Sequence, residues 1–221
     1  MKMAGKILVL MALLIMTSSL KAQKEYRFYD YRLMGLRAGF SWATIDLQPA
    51  QSDVVGDFSY SGGMVFVFSQ KKYVGVQIEA LFTSRKWKET FDTYQAQTEL
   101  SFVEIPLLTN INLGTGKMKY IINLGTYFAM RFDKKLTTNM PSSYEAYEAL
   151  TSREERNSDF GLLIGGALRY FSSVGVFQLD ARFAYGYQKM YSEDATGFRF
   201  SNMPTANVGI IYMINLKKDV Q

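Results

Sequence analysis

The period of hydrophobicity between residues 99 and 131 constrains this chain more than any other feature. The stretch reads ELSFVEIPLLTNINLGTGKMKYIINLGTYFAMR. In its first half Val103, Ile105, Leu107, Thr109 and Ile111 fall on one face, against Glu104, Pro106, Leu108, Asn110 and Asn112. Beyond a short break at Gly114-Thr115-Gly116-Lys117, Ile122, Leu124, Thr126, Phe128 and Met130 alternate with Asn123, Gly125, Tyr127, Ala129 and Arg131. A period of two belongs to strands, so the stretch is a hairpin. Its apolar row runs the whole length of each strand, and its other row carries a Glu and an Arg. Strands of ~10 residues with that pattern suit a membrane barrel, apolar towards lipid and polar towards the lumen.

The same alternation recurs at 34–44, 58–68, 73–85, 158–171, 175–187 and 205–216, which makes eight strands with the hairpin. The connections alternate in length. Long loops are expected at 46–57, 86–98, 133–157 and 188–204, with tight turns between them. An even strand count, with long loops at one end and short turns at the other, is the pattern of a bacterial outer-membrane barrel. Pairing of the first and last strands would close the sheet and remove both edges. A soluble lipocalin-like barrel also has eight strands, but its apolar rows face inward. Here Gly39, Gly63, Gly75, Gly125, Gly161, Gly165, Gly186 and Gly209 sit on the polar row, as a narrow lumen crowded with long charged side chains requires. Aromatic residues are expected to form two interfacial belts: Trp42, Tyr60, Trp87, Phe132 and Tyr187 towards the long loops, and Phe68, Tyr73, Tyr120, Tyr170 and Tyr212 towards the short turns. The expected fold is all-β: an eight-stranded antiparallel up-and-down transmembrane β-barrel over 34–216.

Residues 1–22 read as a signal peptide. Lys2 and Lys6 precede the ten-residue apolar run 7–16, which is too short to span a bilayer. Residues 23–33 read as a periplasmic lead-in and 217–221 as a C-terminal tail. Loss of Lys2, Lys6 and Lys21 with the signal takes 25 bases to 22, against 20 acids. That balance carries no nucleic-acid footprint. The chain has no His and no Cys, which excludes Ser-His and Cys-His catalysis and His- or Cys-based zinc sites. Loop carboxylates such as Asp92, Glu155 and Glu193 suit Ca²⁺ chemically, but no loop has EF-hand spacing, and they read as solvated charges. No catalytic residue, metal site or cofactor is expected.

Two groups of residues are candidates for a functional site. The first is the inward charges Arg37, Glu79, Arg85, Glu104, Arg131, Asp159, Arg169, Asp180 and Arg182. They would line a channel or, as the strand count favours, plug a lumen just wide enough for side chains. Glu79 and Glu104 are expected nearly opposite one another, each meeting Arg37, Arg182 or Arg169 in a closed network, because buried charges must pair. The second is the loop 133–157, the longest expected. It mixes Tyr144, Tyr147 and Leu150 with Arg153 and Arg156, and residues 144–150 read as a helical turn or two. Loops on rigid scaffolds are where binding usually sits.

The segments GLRAGFSWATI from Gly35, VGVQIEALFTSRK from Val74, FVEIPLL from Phe102, INLGTYFAM from Ile122 and DFGLLIGGALRY from Asp159 resemble the PorT-like outer-membrane β-barrels of Bacteroidetes. The resemblance implies an eight-stranded outer-membrane barrel and no single activity. The family takes its name from a member needed for a secretion system that exports proteases and adhesins. The expected role is therefore a non-enzymatic binding or structural module that acts through its loops or rim. Its partners would be outer-membrane lipid and other envelope or secretion proteins. A secretion accessory and a pure membrane-integrity protein are the alternatives.

Overall fold

The alternating runs form the strands β1 (Tyr31–Ala43), β2 (Asp46–Gln48), β3 (Asp53–Ser69), β4 (Val74–Phe91), β5 (Tyr94–Leu113), β6 (Met118–Thr138), β7 (Ser158–Ser172), β8 (Gly175–Gly186), β9 (Phe200–Asn202) and β10 (Pro204–Asn215), with one helix among the described residues, α1 (Glu145–Thr151). The structure is a computed structural model. It describes residues 30–216 apart from 51, 70, 115, 154 and 192–196, so the expected signal peptide and C-terminal tail lie outside the described residues. Eight strands close into one antiparallel barrel in the order β1-β10-β8-β7-β6-β5-β4-β3. β1 pairs with β10 on one side and β3 on the other, which leaves the barrel no edge.

The two rows separate as the alternation demands. Leu36, Phe40, Phe82, Ile105, Leu124, Ile164, Leu179 and Ile210 are exposed on the outside, while Arg37, Glu79, Asn110, Asn123, Arg169, Asp180 and Ile211 are buried within. Apolar side chains outside and charges inside are stable only where the surrounding medium is lipid. At the turn end Phe68, Tyr73, Tyr120, Tyr170 and Tyr212 form an exposed aromatic belt, and Trp42, Tyr60, Phe132 and Tyr187 form another towards the loops.

The loop end departs from the expectation. The first strand begins at Tyr31, inside the expected lead-in. Residues 86–98 are not a loop: β4 and β5 run through them to a two-residue turn, with Phe91 opposite Tyr94 and Asp92 at φ 49°. Asp tolerates that left-handed conformation, which a two-residue hairpin needs. Likewise β6 continues to Thr138 and β3 starts at Asp53. The last expected loop contributes β9, which pairs with β2.

The reason is that the two rows of β4 keep their sides but exchange their chemistry. Below, apolar residues face out. Above, Lys86, Lys88 and Thr90 face out, while Trp87, Glu89 and Phe91 are buried. Trp87 is wholly buried and belongs to no belt, because it shares the inward row of Arg85. Two bulges mark the level of the change, at Asp57/Ser61 between β3 and β4 and at Ser101/Phe102 between β5 and β6. There Phe132 and Asp133 are both exposed, which breaks the period of two.

The described residues form three apolar clusters. Leu33, Val65, Val67, Ile211 and Met213 lie at the turn end. Ile45, Leu47, Trp87, Phe102, Met190, Tyr191, Phe198 and Met203 cap the lumen at the loop end. Phe91, Ala96, Met140 and Leu150 join α1 to the raised hairpin.

Replacement of Ile210, which is exposed near the middle of β10, by Arg should lower stability by about 2–4 kcal/mol if that surface lies at the bilayer midplane. Urea unfolding in phospholipid vesicles measures this.

Candidate functional site

The charges between the two lumen clusters form layers. In the middle layer the Arg182 guanidinium donates two 2.7 Å hydrogen bonds to the Glu79 carboxylate and a further one to Asp180. Arg37, on β1, reaches Asp180 at 3.1 Å, Ser61 at 2.8 Å, and Asn207. Towards the loops, Arg85 binds Asp159 at 2.5 Å and Glu104 at 2.9 Å, while the Tyr127 hydroxyl donates to Asp159 at 2.8 Å. Three arginines thus meet four carboxylates. Fork geometry makes Arg suited to this work, since Lys offers one point charge. A cavity of about 20 Å³ lies between Arg37, Arg85, Arg182 and Glu104. It has room for about one water molecule.

Glycines give these side chains room. A Cβ on Gly209 would come within 2.6 Å of Arg37 Nη2, and one on Gly186 within 2.6 Å of Asp159 Oδ1. Gly39, Gly63, Gly125 and Gly161 instead admit the backbone of the neighbouring strand, since a Cβ there would come within 2.0–2.4 Å of a carbonyl oxygen.

Towards the turn end Arg169 is fully buried. It donates to Gln178 at 2.7 Å, Tyr31 at 2.8 Å, and Gln77 and Asn110 at 3.3 Å. It meets neither glutamate directly. Gln77 in turn donates to Glu79, which links the two layers.

Several expected contacts are rearranged. Glu104 faces Leu81, not Glu79, because the hairpin turns between Asp92 and Thr93 and shifts the register from the one assumed. Its arginine is Arg85, and none of Arg37, Arg169 or Arg182. Arg131 leaves the lumen network: at the bulge it turns to the rim and binds Glu155 Oε2 at 3.4 Å, the Glu155 carbonyl at 2.8 Å and Asn157 at 2.7 Å. Lys119 and Glu89 are buried inward residues that the sequence reading left out. Continuing the rows of Asn123 and Arg85 by two steps each reaches them.

The residues expected in a free partner loop are mostly docked. Leu150 is buried, and Tyr144 and Tyr147 pack on the same cluster. The Tyr144 hydroxyl donates to Asp92 at 2.6 Å, and its ring meets Tyr94 at 4.9 Å. Arg153 is buried in a 2.8 Å ion pair with Glu89 and stacks over Phe198 and Tyr191 at 5.1 and 5.8 Å. Glu89 also accepts from Trp87 and Ser52, at 3.1 Å each. One ion pair thereby ties together four loop-end segments over the lumen. Burial beside Glu155 and Glu89 holds the Tyr191 phenol above its ordinary range. Arg156 alone of the five is exposed.

The family described as outer membrane protein beta-barrel domain matches residues 21–192. The chain belongs to that family. Its barrel is similar to OprG of Pseudomonas aeruginosa, with a TM-score of 0.51 at 14% identity over 85% of this chain and 94% of that one. Neisserial surface protein A gives a TM-score of 0.45 at 11% identity over 81% and 96%. Ail of Yersinia pestis gives 0.43 at 11% over 84% and 99%. No curated protein matches the sequence. The barrel therefore shares its fold with OprG, and its location is the outer membrane.

Glu79→Gln should destabilise the barrel by about 3–5 kcal/mol by leaving Arg182 under-compensated, as unfolding midpoints in detergent would show. Arg153→Ala should leave the barrel folded but make the loop end sensitive to trypsin, with cuts appearing between Arg131 and Arg199.

Proposed function

We propose that this chain is a non-enzymatic outer-membrane barrel with a closed lumen, which works as a binding or structural module through the ordered sheet and loops at its loop end. The observation that carries this reading is the stacking within one narrow lumen. The cap of Trp87, Tyr191 and Phe198 overlies the Arg85 layer, which overlies the Arg37–Arg182 layer. An eight-stranded barrel filled in this way leaves its outer surface as the place for interaction. The absence of His and Cys supports a non-enzymatic role. The long-loop end faces the exterior, as in other barrels with short periplasmic turns, and residues 1–22 direct export.

The finer placement is with the PorT-like barrels of Bacteroidetes. It is supported by Gln77-Ile78-Glu79 followed by Glu104-Ile105-Pro106-Leu107-Leu108. On that placement an accessory role in protein secretion is the second reading, and a stable complex with secretion proteins in outer-membrane extract would favour it.

The purified barrel in planar bilayers should give no steady axial conductance; persistent single-channel steps would refute the closed lumen. Single cysteines at Ser143 and Ser172 test the orientation. A membrane-impermeant maleimide on whole cells should label the first and spare the second.

A further inference from the structure

Between the first loop, the tip of the β4–β5 hairpin and the start of α1 lies a groove of about 450 Å³. That volume falls within the range of ~300–1,000 Å³ typical of ligand sites. Phe91, Tyr144, Thr90, Asp53 and Asp92 are among the residues that line it. Among the described residues both charged groups on the wall are acids. The walls are held in place. Asp53 and Thr90 are cross-strand partners, and Tyr144 is tied to Asp92 by a 2.6 Å hydrogen bond and backed by Tyr94. Phe91 is buried against the α1 cluster.

We propose that this groove takes one protonated amine or guanidinium: the lysine or arginine side chain of a partner polypeptide. The chemistry is complementary on two counts. Two carboxylates with no opposing base attract a cation. The half-buried Tyr144 ring beside them offers a face to its charge and cover for its methylene stem. A neutral sugar would use the rings and hydroxyl but draw nothing from the charge. An acidic or apolar partner would leave both carboxylates without a counter-charge. Tyr144 donates to one oxygen of Asp92 and leaves the other for the incoming donor. The proposal rests on the reading that the loop end is the interaction surface, and it names the kind of group that surface receives.

The test uses the whole protein in lipid nanodiscs with ¹³C-labelled alanine methyls, since Ala146 lines the groove. The probes are N-acetyl-arginine methylamide, N-acetyl-lysine methylamide and N-acetyl-citrulline methylamide, the last matching arginine in shape without its charge. The cationic probes should shift the Ala146 methyl saturably, and citrulline should not. Asp53→Asn and Asp92→Asn should each weaken binding by about two- to five-fold, as a single partly exposed charge contact does. Added salt should weaken it further. Asn tolerates the left-handed backbone at 92, and Asp53→Asn probes the same groove without touching the turn. The proposal falls if citrulline binds as well as arginine, if the double variant keeps wild-type affinity, or if maltotriose moves the Ala146 methyl and the cations do not. Nanodiscs expose both ends of the barrel, so a failure here is separate from a failure of orientation, which the whole-cell labelling decides.

Discussion

A guanidinium shared between carboxylates is the interaction on which the rest of the barrel depends. Eight strands enclose a space that side chains must fill. In lipid, the polar ones among them have only each other as partners. Arg182 between Glu79 and Asp180, and Arg85 between Glu104 and Asp159, meet that demand with four or more charge-assisted hydrogen bonds. Their bulk requires glycine on neighbouring strands, and the glycines let those strands approach. Charge, glycine and strand number are therefore a single solution rather than three traits. Burying such pairs contributes little net stability over an apolar filling, but losing one member is severe.

Much of the membrane-embedded part was legible in the sequence. Period two over eight runs gives strands, and the polar row gives the lumen. Arg37, Glu79, Asp180 and Arg182 could be placed inside from parity alone. Parity assigns a side of the wall but not a partner across the lumen. Glu104 finds Arg85 because hairpin register decides the pairing, and register turns on a single residue at Asp92–Thr93. An error of one residue there moves every cross-strand partner.

The loop end was less legible, for a different reason. The rule separating inside from outside inverts where lipid gives way to water. Residues such as Lys86, Lys88 and Glu99 look like loop when judged as lipid-facing strand, yet they suit the wet face of an ordinary sheet whose dry face carries Trp87 and Leu100. The helical turn at 144–150 was readable from composition, and α1 occupies it. Its docking on Phe91 was not, because that required knowing that the hairpin rises beside it.

The two bulges have a consequence for how such a chain can change over time. Asp57/Ser61 and Ser101/Phe102 each absorb one residue at the level where the sheet leaves the membrane. A length change in the raised part of β3 or β6 can be taken up at these points without moving the glycines and charges beneath. They act as slip joints between a transmembrane cylinder that tolerates almost no shift and an outer sheet free to lengthen, shorten or recut its surface. A lineage can thus remodel what the barrel displays while inheriting its anchor unchanged.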